Sequence, residues 1–309
     1  MHTRLIFPML ILAACIILPR SVPAAEAEKA PQTQNTRSKM IFGVPVNVNM
    51  AGPGSMPEGV LYTAINASFS DKVTPHGNTT RRLSDSFNQA WLLKVRYGIT
   101  EYLEIWSTTP YTNSRRTNPE PNPQSIYGIN DTVVCFTFGP WHERRGDPFT
   151  ASASAGVWVP MAAWGADHPA GLGVMGFRGQ AAVGKFLTNN IKIETEGVWT
   201  TRFGRGNQGV RLGDQFQWNS QIRYLFDYFD IGLESTLVRQ LTSDQKKDGR
   251  TRDMRSKSTE WFVGPSVNFA IDPLGMWVGV GALFPVMQDY QSPTKAENVR
   301  FELKIAKLW

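Results

Sequence analysis

Phe87-Asn88-Gln89-Ala90-Trp91-Leu92-Leu93-Lys94-Val95-Arg96-Tyr97 is the stretch on which the reading of this chain turns. Phe87, Gln89, Trp91, Leu93, Val95 and Tyr97 fall on one parity, and Asn88, Ala90, Leu92, Lys94 and Arg96 on the other. A helix would scatter these residues around its circumference, whereas a strand gives each set its own face. Phe216, Trp218, Ser220, Ile222, Tyr224 and Phe226 repeat the pattern against Gln217, Asn219, Gln221, Arg223 and Leu225.

Working outward, period-two segments fall at 60–69, 87–97, 103–111, 130–138, 149–159, 174–186, 191–201, 215–226, 229–239, 258–270, 276–286 and 299–309. Most have the roughly 9–11 residues that a tilted strand needs to cross a bilayer. Segments 149–159 and 276–286 alternate poorly. Short links at 98–102, 187–190, 227–228 and 271–275, with a compact one at 139–148, alternate with long polar loops near 70–86, 112–129, 160–173, 202–214, 240–257 and 287–298. Such sorting belongs to an up-and-down outer-membrane barrel, with short periplasmic turns and long external loops. The expected fold is all-β: an antiparallel transmembrane β-barrel of about 12 strands.

The facing assignment agrees. Trp91, Leu93, Val95, Ile191, Ile193, Ile231, Leu233, Trp261, Val263, Phe301, Leu303 and Ile305 form the apolar set. The opposite set carries Lys94, Arg96, Glu104, Arg178, Lys192, Glu194, Glu196, Arg223, Asp230, Glu234, Glu260, Arg300, Glu302 and Lys304. A soluble barrel would turn the apolar set inward. Alternation alone does not choose between the faces; the leader, the even strand count and the loop sorting do. The charged set is balanced, seven basic against seven acidic, which argues against a strongly ion-selective pore.

Arg4 precedes an apolar run from Leu5 to Leu18, followed by Pro19, Pro23 and the small residues Ala24, Ala25 and Ala27. This pattern reads as a signal peptide over 1–25. Leu12-Ala13-Ala14-Cys15 resembles a lipobox, but the apolar run continues beyond the cysteine. Removal of 1–25 lowers the net charge from +6 to +4 and leaves Cys135 as the one cysteine, so no intramolecular disulfide is available. Residues 26–58 are polar and loose and are expected to form a flexible periplasmic segment, with the barrel over 59–309; entry of the segment into the lumen as a partial plug is an alternative that the side-chain pattern does not support. Of the 309 residues, 19% are charged and ten are Trp, a composition that excludes disorder and coiled coil, and four His leave little room for a histidine metal cluster.

Phe301, Leu303, Ile305 and Trp309 share one parity. They resemble the aromatic-terminated last strand of bacterial outer-membrane barrels, which the barrel-insertion machinery reads. Lys307 breaks that parity and can snorkel at the membrane boundary. Pro265 falls inside a predicted strand and calls for a bulge or a shifted boundary. Pro110, Pro160 and Pro285 are each expected to close a strand that runs outward.

Arg96-Tyr97-Gly98-Ile99-Thr100-Glu101-Tyr102-Leu103-Glu104-Ile105, then Pro110-Tyr111, then Gly128-Ile129-Asn130-Asp131-Thr132 carry a family resemblance, as does Met56-Pro57-Glu58-Gly59. They are similar to motifs of the outer-membrane "putative meta-pathway of phenol degradation" transporter family. The resemblance spans the barrel and implies passage of small molecules, with the aromatic solute carried over only weakly.

The lumen-lining candidates are Lys94, Arg96, Glu104, Arg178, Lys192, Glu194, Glu196, Arg223, Glu234 and Glu260. A nucleophilic enzyme needs a His beside a Ser. His76, His142 and His168 all fall in predicted connections, so no catalytic residue, metal site or cofactor is expected. Glu194 and Glu196 share a face, where pairing with Lys192 is the simpler role than catalysis. Cys135 reads as a packed small residue. Lys246, Lys247, Arg250, Arg252, Arg255 and Lys257 in one loop offer phosphate contacts to lipopolysaccharide, or form a solvated loop paired with Asp244, Asp248 and Asp253. No nucleic-acid motif is present. The expectation is a bacterial outer-membrane channel passing small solutes, hydrophobic or aromatic ones among them, by passive diffusion. Its partners would be solute, membrane lipid, lipopolysaccharide and the insertion machinery. The alternative is a non-conducting structural, adhesive or lipopolysaccharide-binding barrel.

Overall fold

The computed structural model describes residues 50–73, 85–117, 125–161, 171–206, 211–242, 257–271, 274–290 and 296–309. Among them lie β1 (Leu61–Val73), β2 (Asp85–Gly98), β3 (Leu103–Thr117), β4 (Ser125–Ile129), β5 (Thr132–Trp141), β6 (Thr150–Val159) and β7 (Gly176–Phe186). The second half holds β8 (Ile191–Arg202), β9 (Gln215–Leu225), β10 (Phe229–Gln240), β11 (Ser258–Ile271), β12 (Met276–Tyr290) and β13 (Ala296–Leu308). All belong to one antiparallel sheet that closes on itself through β1 and β13. β4 and β5 both pair with β3 and make up one stave, so the thirteen segments give a twelve-staved barrel.

Strand ends on the long-loop side depart from the sequence reading. β3 runs to Thr117 and β12 to Tyr290, so Pro110 and Pro285 lie within strands rather than closing them. Beyond the bilayer a ladder needs no apolar face. Polar cross-strand pairs hold it instead, as Ser114 with Asn88 (2.5 Å) and Asn113 with Gln89 (3.4 Å) do. Each proline meets an irregular neighbour. Opposite Pro110 the register changes from Tyr111↔Ile129 to Thr108↔Val133, and Asn130 N donates to Pro110 O at 2.8 Å. The extra residue of this bulge sits where proline offers no N–H. A register shift of β11 against β12 falls beside Pro285. Pro265 keeps its place opposite Leu233 on β10, and its pairing with β12 lapses. There Gly264 lies so close to β12 that a Cβ would come within 1.7 Å of Ala282 O. Pro160 directly follows β6, as expected.

The two poorly alternating segments are β6 and β12. In β6, Thr150, Ser152 and Ser154 point inward, and small inward residues blur the contrast between faces. The strand ends at 98, 141, 186, 225 and 271, each followed by a short connection, all lie at one end of the barrel.

Burial decides the faces. Arg223, Glu104 and Glu196 are each 1% exposed, whereas Phe301 is 58% and Phe138 55% exposed. Charge is inside and apolar surface outside, around a closed ladder that leaves no strand edge to lipid. A bilayer demands this arrangement. Inside, apolar packing is confined to small clusters, such as Trp106 with Val133, Cys135 and Trp158.

Candidate functional site

The turn Ile99–Tyr102 joins β2 to β3, with Thr100 Oγ1 accepting from the Tyr102 and Leu103 amides. It brings Arg96 and Glu104, eight residues apart, onto adjacent inward positions. Arg96 Nε and Nη2 grip the Glu104 carboxylate at 2.9–3.1 Å. The rest of this pair's hydrogen-bonding capacity goes to the segment ahead of β1. Arg96 donates to Ala51 O (3.2 Å) and Gly54 O (2.6 Å), and Met56 N donates to Glu104 (2.7 Å). Across the lumen, Ala51 N donates to both oxygens of Glu196 at 3.0 and 3.2 Å.

Met50–Met56 thus lies inside the barrel, with Met50, Ala51 and Ser55 buried. This departs from the expected flexible segment 26–58. Backbone carbonyls and amides supply the contacts, so the side-chain pattern gave no warning. Residues 1–49 lie outside the described residues. The segment enters at the short-turn end, where Glu58 bridges Gly98 and a Cβ on Gly98 would meet Pro57 O at 1.9 Å.

The β5–β6 connection braces it. A 3-10 turn at Glu143–Arg145 is capped by His142, whose Nδ1 accepts from Arg144 N at 3.2 Å. Arg145 donates to Glu101 O (2.7 Å) and Gly139 O (2.8 Å), and Glu143 accepts from Phe186 N (2.9 Å). The turn therefore ties the β2–β3 and β7–β8 turns together. His142 packs against Gly54 so tightly that a Cβ there would lie 2.8 Å from its Nε2. Burial, then Arg144, Arg145, Lys192 and Arg96, push His142 down to about 3. Burial likewise lowers Arg144 from its ordinary value.

The other lumen candidates sort into groups. Arg223, on β9, donates to Asp230 (2.6 Å from Nε), Glu234 (2.7 Å), Ser266 (2.9 Å) and Gln221 (3.2 Å), and Asn268 adds a bond to Asp230 at 3.0 Å. Lys192 and Glu194 pair at 2.5 Å, and Gln221 also donates to Glu194. Glu196 takes Gln180 (2.9 Å) and Asn219 (2.7 Å), so Glu194 and Glu196 have separate partners. The Lys94 ammonium and the Arg178 guanidinium each lie over the Trp106 ring, at 5.4 and 5.6 Å. Glu260 stands apart, half-buried toward the long loops, and hydrogen-bonds Tyr290 near the Arg300–Glu297 pair.

Sequence reasoning missed Asp131. It is fully buried, accepts from Leu172 N (3.1 Å) and Gly173 N (3.2 Å), and lies 3.5 Å from Arg202. Arg202 in turn stacks 3.9 Å above Trp158. Asp131 belonged to the quoted Gly128–Thr132 motif, which gives that motif a physical role: it ties the β6–β7 connection to the wall.

Phe301 is exposed on the outer face, Leu303 and Ile305 are partly so, and Trp309 Nε1 donates to Thr63 Oγ1 at 3.0 Å. Lys307 lies 3.6 Å over the Trp309 ring. Cys135 is buried against Trp106. His76, His168 and the basic cluster, Lys257 excepted, lie outside the described residues. Among the described residues no group of three or more His, Cys, Asp or Glu is placed to hold a metal ion.

Comparison with curated proteins gives no match to this sequence. Solved structures do match. The COG4313 outer membrane channel from Pseudomonas putida F1 superposes with a TM-score of 0.70 at 12% identity, covering 85% of this chain and 100% of that one. The NanC porin (TM-score 0.48, 10% identity, 79% of this chain and 98% of that) shares the general barrel. So does the CymD monoaromatic hydrocarbon channel (0.39, 9%, 82% and 89%). Closed sheet, apolar exterior and the likeness to the COG4313 channel make the chain a β-barrel of the bacterial outer membrane. Residues 64–291 match the sequence profile described as "Putative MetA-pathway of phenol degradation", and the chain belongs to that family.

Proposed function

We propose that the protein is a passive outer-membrane channel for small solutes, closed at its periplasmic end by Met50–Met56 and opened when that segment leaves. One observation carries this reading. Arg96, Glu104 and Glu196 each give part of their hydrogen-bonding capacity to the backbone of a segment outside the barrel wall. Such contacts can be exchanged for water or solute without breaking a ladder. The solute class follows the family's phenol-pathway description: small, apolar or aromatic molecules. Trp106, with Lys94 and Arg178 over its ring, is one of the aromatic groups set among the charges of the interior. No reaction is part of this reading.

Single-channel conductance of refolded protein in a planar bilayer tests it. Wild type is expected to show small or rare steps, and Arg96→Ala larger and longer ones. Uptake of phenol into liposomes is expected to rise in parallel. A folded Arg96→Ala barrel that neither conducts nor passes phenol would overturn the proposal. It would favour the second reading, a sealed surface barrel, which the densely filled Arg223 cluster supports.

A further inference from the structure

The outer wall carries a groove of about 410 Å³, within the ~300–1,000 Å³ range of sites that hold a small ligand. Its floor is a register row across five strands: Val183↔Thr195, Thr195↔Ser220, Ser220↔Ser235 and Ser235↔Val263. The row below holds Ile193, Ile222 and Leu233, and the row above holds Trp218 and Trp261. Small side chains between two rows of bulky ones make the depression.

The floor suits an apolar occupant. Thr195 Oγ1 donates to Asn219 O at 3.0 Å, and Ser235 Oγ accepts from Trp261 Nε1 at 2.9 Å. These two hydroxyls are hydrogen-bonded within the wall, and the side chains beside the floor, Ile193, Ile222 and Leu233, are aliphatic.

The direction of the row is informative. Val183 is the fourth residue from the short-turn end of β7 and Thr195 the fifth on β8. Ser220 is the sixth on β9, Ser235 the seventh on β10 and Val263 the ninth on β11. The floor therefore climbs by five residues, about 17 Å of strand at ~3.3 Å each, from the periplasmic boundary toward mid-membrane. At its low end stands Lys185. This cation is exposed on the lipid-facing side, next to Ile193 and one residue short of the strand end. The outward positions beside it, Val183, Ile193 and Ile222, are apolar.

We infer that this groove binds one glycerophospholipid of the periplasmic leaflet, its anionic headgroup on Lys185 and an acyl chain lying along Thr195, Ser220 and Ser235. A cation at the interface with an apolar channel rising from it matches the two parts of such a molecule, and it sits on the wrong side of the membrane for lipopolysaccharide. A second copy of the chain would bring its own apolar wall and leave Lys185 without an anion.

Native mass spectrometry of the refolded full barrel tests the assignment, with phosphatidylglycerol and phosphatidylcholine offered at equal concentration. Wild type is expected to retain one phosphatidylglycerol at least ~10-fold in preference to phosphatidylcholine, a difference of about 1.4 kcal/mol. Lys185→Gln should abolish the preference while keeping weak binding, and Ser220→Phe should lose both lipids by filling the floor. Val95→Phe, on the outer face of β2 across the barrel from β9, serves as control. Heat-modifiable gel migration confirms that each variant is folded. Equal retention of both lipids by wild type, or folded variants that bind as wild type does, would overturn the inference. So would preferred retention of lipopolysaccharide, or cross-linking of Ser220→Cys into a pair of chains.

Discussion

Two arginines inside this barrel face the same chemistry and do opposite things with it. Arg223 binds Asp230, Glu234, Ser266 and Gln221, all side chains of strands β9 to β11. Arg96 binds one wall carboxylate, Glu104, and then two carbonyls of a segment that belongs to no strand. The first cluster cements neighbouring staves to one another. The second is a receptor with a ligand in it, the ligand being the chain's own backbone. Buried ion pairs alone do not distinguish the two clusters; what the spare donors bind does.

The largest expected effect comes from removing the cement. Arg223→Ala leaves Asp230 and Glu234 buried without their cation, and truncating one partner of a buried pair costs ~3–5 kcal/mol. The midpoint of unfolding, followed by gel migration against urea, should fall sharply with no gain in conductance. If Arg223→Ala instead opened the channel at unchanged stability, the contrast between the two clusters would collapse.

Arg96→Ala should destabilise less. It removes charge-assisted hydrogen bonds worth ~1.5–3 kcal/mol each, but the released segment lets water reach Glu104. Limited proteolysis from the short-turn side should cut ahead of β1 in Arg96→Ala and spare wild type. Arg223→Ala should leave that protection intact.

His142 sharpens the comparison with pH. Its folded value, about 3, lies below the ordinary 6.5. The neutral form is thus favoured by folding, and the contribution is complete above about 6.5. It is lost as pH falls toward about 3. Protonation also removes the Nδ1 acceptor that caps Arg144 N. Protease protection of the segment should decline between pH 6 and 3.5, and the decline should be absent in His142→Gln. A segment equally protected at both pH values in wild type would remove His142 from the latch.

The smallest effect is expected at Lys307→Ala, which removes one cation–π contact at the membrane boundary, worth ~0.5–1 kcal/mol. A slight fall in the unfolding midpoint without change in conductance or protection is the expected result.

How far the sequence alone reaches follows from these contrasts. The barrel was legible because lipid on one side and charge on the other impose alternation on strand after strand, as Trp91 and Lys94 do on β2. Arg96, Glu104, Glu194, Glu196, Arg223 and Glu234 were legible as inward residues for the same reason. Their partners were not. Parity states which way a side chain points, whereas the choice of Glu104 for Arg96 depends on register across a turn. The extensions of β3 and β12 escaped because polar ladders carry no hydrophobic signal. Met50–Met56 escaped because it binds through backbone atoms, and every sequence has those. Asp131 escaped by sitting at a bulge, where period two is interrupted.

The seam between β1 and β13 has a consequence for assembly. Every other stave meets its neighbour through a connection of at most about twenty residues, while Tyr62 must find Leu308 across nearly the whole chain. Local hairpins can zip early. This one non-local ladder carries the largest loop-closure entropy in the molecule and is expected to form last. Until then the partly built sheet presents two raw margins, and any passing strand of matching register is a competitor for them. Time spent unsealed, rather than final stability, is the quantity that selection would have to keep short in a protein of this shape.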